Sequence, residues 1–183
     1  MIAAPSLATI ARLVRSDLIK LSRYWVVIAA YGAIVAVTVG GAVLYHVAEQ
    51  TARIESGSGY DFAFAVMLRS LDFSRSILFL MFCLVFTLDT ANATLKYVLT
   101  RPVTRLELLL SRYATAFVMI VATLALLWAG SLGTAAWYYD LGALRENEYV
   151  IFGAATMAGH IAVATLLIAL VMMATASLAV AVS

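Results

Sequence analysis

The chain has 183 residues, of which 64% are hydrophobic and only 12% are charged, and its formal net charge is +2. Soluble domains carry about a quarter charged residues and about half apolar ones. This composition excludes a soluble globular domain, a disordered tail and a nucleic-acid-binding protein.

Apolar residues are gathered into four stretches without any charge: Tyr24–Ala48, Ser76–Leu88, Tyr113–Tyr139 and Tyr149–Ser183. A helix needs about 20 mainly apolar residues to cross a bilayer. Three stretches have that length, and Ser76–Leu88 reaches it when its flanking residues are included. We therefore expect an all-α, polytopic membrane protein with four transmembrane helices.

Residues 6–23 are predicted to form an amphipathic helix, which we call the elbow helix. Its apolar residues recur every three or four positions, whereas Arg12, Lys20 and Arg23 fall on the opposite side. A basic amphipathic helix beside a span usually lies in the headgroup plane. The alternative is an extension of the first span, but the one-sided stripe favours the interfacial helix.

The other elements follow in chain order. We predict spans at 25–47, 73–92, 105–138 and 150–180, extracytoplasmic loops at 48–72 and 139–149, and a cytoplasmic segment at 92–105. Within the first loop, Phe62–Leu71 is predicted to be a short interfacial helix or re-entrant piece. All of these elements belong to one transmembrane domain.

Two spans carry small residues at helical spacing. They are Gly32, Ala36 and Gly40 in the first span, and Ala155, Gly159 and Ala162 in the fourth. Such strips let two helices approach closely, so we predict two helix-packing faces.

Lysine and arginine are distributed unevenly among the segments outside the spans. Four precede the first span, three (Arg53, Arg69 and Arg75) lie between residues 48 and 75, four lie in 92–112 and one lies in 139–149. Cytoplasmic segments carry the excess of these residues. The N-terminus and the 92–112 segment are therefore predicted to face the cytoplasm, in a multi-pass protein of the cell membrane.

The 92–112 segment is predicted to form two helices separated by a proline turn. Pro102 disfavours a helical conformation at Arg101. Thr104 and Glu107 match the T-x-x-E capping box, which begins a new helix at Arg105 that continues into the third span.

Sequence motifs for catalysis are absent from the chain. It has no phosphate-binding loop, no G-x-S-x-G elbow and no H-E-x-x-H pair. We expect His46 at the outer interface and His160 inside the fourth span, so the two do not form a metal pair. We therefore expect no enzyme activity, no resident cofactor and no metal site.

Two short runs of residues carry a family resemblance: Thr94-Leu-Lys-Tyr-Val-Leu-Thr-Arg-Pro-Val-Thr-Arg105 and Leu108-Leu-Leu-Ser-Arg112. With their surroundings from residue 85 onward, they resemble the ABC-2 type transporter permeases. Ala93 stands where that family has a glycine, and Asp89 is the best match to its glutamate.

The resemblance implies an ABC-2 (type V) exporter-like fold, of which this chain is expected to cover the first four of six spans. It implies a permease that forms a substrate path in the bilayer with a second copy or a homologous permease. The segment at 92–105 is then a coupling helix that docks on a separate ABC ATPase subunit, which holds ATP and Mg²⁺. The docking residues carried over are Asp89, Leu95, Lys96, Val98, Leu99, Arg101, Pro102 and Arg105. The alternative is a non-transporting membrane scaffold or assembly factor.

Overall fold

The structure is a computed structural model that describes residues 6–52, 58–91, 104–142, 144–146 and 149–182. These residues form five helices and one short β-hairpin. The helices are α1 (Leu7–Arg23), α2 (Trp25–Ala52), α3 (Gly59–Ala91), α4 (Arg105–Tyr138) and α5 (Ala154–Val182), and the strands β1 (Leu144–Glu146) and β2 (Tyr149–Phe152) lie between α4 and α5.

Helix α4 is the centre of the bundle, because it packs against each of the other four helices. The largest fully buried apolar side chains come from α2 to α5: Ile34, Phe62, Met67, Leu78, Phe82, Ile120, Leu127 and Met172. On the α5 side, the Trp128 indole Nε1–H donates a hydrogen bond to Thr165 Oγ1 at 2.9 Å. The predicted helical membrane-protein architecture is confirmed.

The two ends of the bundle are marked by different contacts. At one end, which we call the elbow end, Ser6 and Glu107 join the beginnings of α1 and α4. At the other, the hairpin end, α2 and α4 finish side by side and α3 begins. There the Gly59 N–H donates to the Asp140 carbonyl oxygen at 3.2 Å, and a Cβ at Gly59 would lie only 2.9 Å from that oxygen. Position 59 therefore favours glycine.

Three helices in the described part of the chain are long and apolar enough to cross a membrane: Trp25–Thr51, Leu106–Tyr138 and Ala155–Ala179. They correspond to the first, third and fourth predicted spans. The second predicted span, 73–92, coincides with the later part of α3. This helix is not among the three, so its crossing of the membrane stays a prediction.

The predicted loop at 48–72 is wrong in its extent. Helix α2 continues to Ala52, and α3 begins at Gly59 and runs unbroken to Ala91, so Phe62–Leu71 is not a separate helix. Charged residues such as Asp61 and Arg69 interrupt an apolar run, but they do not interrupt the i→i−4 hydrogen bonds of a helix.

The fourth predicted span begins too early. Residues 149–152 form β2, which pairs antiparallel with β1 so that Arg145 lies opposite Val150 and Glu146 opposite Tyr149. Helix α5 therefore begins at Ala154. The pairing of β1 with β2 satisfies backbone N–H and C=O groups in the connection between α4 and α5.

Hydroxyl groups inside the bundle are satisfied by their own helices. Thr38, Ser74, Thr123 and Ser131 are completely buried, and each donates to the carbonyl oxygen four residues earlier at 2.7–2.9 Å. This local bond lets a polar side chain enter an apolar interior without a distant partner.

Candidate coupling site

The elbow end is organised by one carboxylate, that of Glu107 in the first turn of α4. Glu107 Oε2 accepts hydrogen bonds from the Thr104 backbone N–H at 2.9 Å and from the Thr104 hydroxyl at 3.0 Å. The Thr104 hydroxyl oxygen in turn accepts from the Glu107 N–H at 3.2 Å. The predicted capping box is therefore confirmed.

The other oxygen of Glu107 reaches a different helix. Glu107 Oε1 accepts a hydrogen bond from the backbone N–H of Ser6, the N-cap of α1, at 2.8 Å. Glu107 is only 6% exposed, and a buried carboxylate needs donors on both oxygens. The Glu107 carboxylate thus accepts hydrogen bonds from the N-cap residues of both α1 and α4. The sequence did not predict this link, because a capping box is a local signal and Ser6 is distant from Glu107 in sequence.

Helix α1 also packs along the early part of α4. Its Asp17 and Leu21 are buried, and on α4 Ser111 and Thr115 are buried. Lys20 Nζ lies 3.9 Å from Asp17 Oδ1, which gives α1 an ion pair one turn apart. The packing and the Glu107 bond together fix the elbow helix against α4. The predicted helix at 6–23 is confirmed as Leu7–Arg23.

The apolar stripe of α1 lines an open groove beside α4. This groove has a volume of about 690 Å³, and its lining includes Leu7, Ala11, Val14 and Leu18 together with Ala114 of α4. Leu7 is 83% exposed, so no described part of the chain covers the start of the stripe. An uncovered apolar stripe beside a membrane span agrees with an interfacial helix.

The predicted docking residues lie between the end of α3 and the start of α4. Asp89 is in the last turn of α3, and Arg105 is the first residue of α4. Six lie outside the described residues: Leu95, Lys96, Val98, Leu99, Arg101 and Pro102. Their docking role stays a prediction. The described chain resumes at Thr104, which is bonded to Glu107.

The two predicted packing strips lie on open faces of α2 and α5 in the part of the chain that the structure describes. Gly32, Ala36 and Gly40 are exposed, as are Ala155, Gly159 and Ala162. At Gly32, Gly40 and Gly159 a Cβ would meet nothing within 4 Å. Their role in helix packing stays a prediction.

A close helix approach occurs instead at Gly130 of α4. A Cβ at that position would lie 3.1 Å from Thr38 Cγ2 of α2. The sequence analysis missed this contact, because Gly130 belongs to neither small-residue strip.

The hairpin end holds a polar network that the sequence analysis also missed. Gln50 Nε2 lies 2.9 Å from His46 Nε2, and His46 Nδ1 lies 2.8 Å from the Tyr139 hydroxyl. The Tyr139 hydroxyl donates a hydrogen bond to Glu49 Oε2, and Glu49 is buried. His46 thus bridges the Gln50 amide of its own helix and the Tyr139 hydroxyl. The Tyr138 ring stacks on His46 with 4.2 Å between centroids.

This network is a structural link between α2 and the end of α4, and its groups do not form a metal centre. No group of three or more His, Cys, Asp or Glu side chains suited to a metal occurs among the residues that the structure describes. His160 lies in the second turn of α5, inside the candidate span Ala155–Ala179, as we expected.

Comparison with known proteins gives one positive finding. The family model described as ABC-2 family transporter protein matches residues 13–183. Neither a curated protein nor a solved structure matches the chain significantly. The matched range contains Glu107 with its capping box and the three described helices that are long and apolar enough to cross a membrane. The chain therefore belongs to the ABC-2 transporter family, whose members are membrane-spanning transporter permeases.

Proposed function

We propose that this chain is the permease subunit of an ATP-driven exporter and that the segment at 92–105 couples it to a separate ABC ATPase. The N-terminus and the coupling segment face the cytoplasm, where the ATPase subunit holds ATP and Mg²⁺. A second permease, identical or homologous, completes the substrate path. The chain itself has no catalytic role.

The observation that best supports this proposal is the double engagement of Glu107. The coupling segment leads into Thr104, and Thr104 is bonded to the carboxylate that also holds Ser6 at the start of α1. A displacement of the segment would therefore move the elbow helix and α4 together. Because α4 continues to Tyr138 without a break, the displacement would reach the hairpin end.

A double substitution in the coupling segment tests the docking role. Leu95, Val98 and Leu99 have the i, i+3, i+4 spacing that gives a short helix one apolar face. Leu95→Asp with Leu99→Asp should abolish co-purification of the ABC ATPase and its stimulated ATP hydrolysis, while the permease still inserts. Thr100→Asp, which adds a charge beside that face, is the matched control and should retain the ATPase. If the double variant still co-purifies with the ABC ATPase, the docking role is refuted.

A second experiment separates docking from transmission. Glu107→Ala removes the shared carboxylate but leaves the segment's apolar residues intact. We expect the complex with the ATPase to persist while transport falls, because the segment is no longer tied to α1. Ser111→Ala, one turn further along α4, is the control. Transport at the parent rate in Glu107→Ala would show that the junction transmits nothing.

A further inference from the structure

A crevice between α2 and α3 brings a cation to an otherwise apolar surface. Its volume is about 370 Å³, and it lies in the half of the bundle nearer the hairpin end. Its lining includes Val37, Gly41, Leu44 and Tyr45 of α2 and Val66 and Arg69 of α3.

Arg69 is held in this crevice by an aromatic ring. Its guanidinium carbon lies 4.6 Å from the centroid of the Tyr45 ring, within the range of a cation–π contact. No carboxylate of the described chain forms an ion pair with it. The neighbouring Ser70 hydroxyl is buried and donates to the Val66 and Met67 carbonyl oxygens. Arg69 thus supplies the crevice with a positive charge that these groups do not neutralise.

The crevice lies beside a candidate membrane span. Its α2 residues belong to the apolar helix Trp25–Thr51. Arg69 is exposed on α3, so its guanidinium is accessible to an anionic group, and a long arginine side chain can reach the headgroup region from beside a span.

We propose that this crevice binds an anionic phospholipid, with its phosphate on Arg69 and an acyl chain along Val37, Leu44 and Val66. A guanidinium presents donors in a fork that matches phosphate oxygens. The apolar walls match a hydrocarbon chain and offer nothing to a small soluble anion. Gly41 lines the crevice, and the space beside it is open, since a Cβ there would meet no atom within 4 Å. The site does not depend on ATPase coupling.

Native mass spectrometry of the full chain in a neutral detergent tests this site. Added phosphatidylglycerol should form a bound adduct at lower concentration than phosphatidylcholine. Arg69→Gln should weaken phosphatidylglycerol binding about tenfold, the loss expected for one charge-assisted hydrogen bond. Arg75→Gln is the matched control, because Arg75 is also an exposed arginine of α3, and it should bind as the parent does.

A second variant tests the crevice without altering its charge. Gly41→Leu places a side chain into the open space and should also block the phosphatidylglycerol adduct. Glycerol 3-phosphate, which has the phosphate but no acyl chain, should not compete. The proposal is overturned if Arg69→Gln keeps the parent affinity, if Gly41→Leu binds unchanged, or if glycerol 3-phosphate displaces the lipid. If Arg69→Gln does not fold, the proposal is tested by Gly41→Leu alone: loss of the phosphatidylglycerol adduct supports it, and unchanged binding overturns it.

Discussion

Thr104 determines where α4 begins through a single hydroxyl oxygen. The first N–H groups of a helix have no partner within it, and the Thr104 side chain supplies one to the Glu107 N–H. Thr104→Ala should lower the free energy of unfolding by about 1 kcal/mol, the usual contribution of an N-cap. Chemical unfolding in detergent micelles measures this change.

The control for this prediction keeps the hydroxyl and removes only a methyl group. Thr104→Ser should unfold at nearly the same denaturant concentration as the parent. Equal stability of the alanine and serine variants would show that the cap bond contributes nothing to stability.

Tyr139 has a comparable role at the hairpin end, where its hydroxyl contacts His46 and donates to Glu49. Tyr139→Phe removes that donor beside a buried carboxylate. We expect a loss of about 1–3 kcal/mol in the free energy of unfolding, the range for a buried polar group that loses a partner. Thermal unfolding followed by circular dichroism measures it.

The adjacent tyrosine gives a matched control. Tyr138 contacts His46 through its ring, and within the described residues its hydroxyl has no hydrogen bond. Tyr138→Phe should therefore unfold at the parent temperature. If Tyr138→Phe and Tyr139→Phe unfold at the same temperature, the loss of stability does not come from the Tyr139 hydroxyl.

Helix packing depends on Gly130, where α4 passes Thr38 of α2. Gly130→Leu forces a side chain into this contact and should cost about 1–3 kcal/mol, as overpacked cores do. Gly133→Leu, on the same helix with open space around it, should cost far less. Unfolding midpoints of the two variants give the comparison.

A compensating substitution makes the Gly130 test specific. Thr38→Ser removes the Cγ2 methyl group that a new side chain would meet, but keeps the hydroxyl that donates to the Ile34 carbonyl oxygen. Combining it with Gly130→Leu should restore part of the lost stability. No recovery would mean that the damage arises elsewhere.

The starts of α1 and α4 could be predicted because their signals are local. The amphipathic spacing of residues 6–23 and the T-x-x-E box at Thr104 each involve neighbours in sequence. The length of α3 could not be predicted in the same way. Hydropathy reports where a helix meets lipid, and the charged residues between Gly59 and Phe73 obscured a continuous helix.

At the scale of the whole molecule, the missing information was which distant residues meet. The capping role of Glu107 was predicted, but its bond to Ser6 and the link from Glu49 to Tyr139 depend on helices returning to the same end. The small-residue strips stay predictions for a related reason. Spacing identifies a smooth face, but it does not say whether that face meets a helix of the same chain.

The orientation of the bundle in the membrane follows from the charges at its two ends. The elbow end carries Arg12, Arg15, Lys20 and Arg23 on α1, and the segment at 92–112 adds four more cations. The connection between α4 and α5 has only Arg145 among three acidic residues. Because cations are retained on the cytoplasmic side, we expect the elbow end inside the cell and the hairpin end outside.

Cysteine labelling in intact cells checks this orientation. In a Cys83→Ala background, Asp140→Cys should react with a membrane-impermeant maleimide, because Asp140 is exposed at the hairpin end. Ser16→Cys, exposed on α1, should react only after the cells are permeabilised. The background variant without any cysteine measures non-specific labelling. Labelling of Ser16→Cys in intact cells would place the elbow end outside, where the coupling segment could not reach a cytoplasmic ATPase.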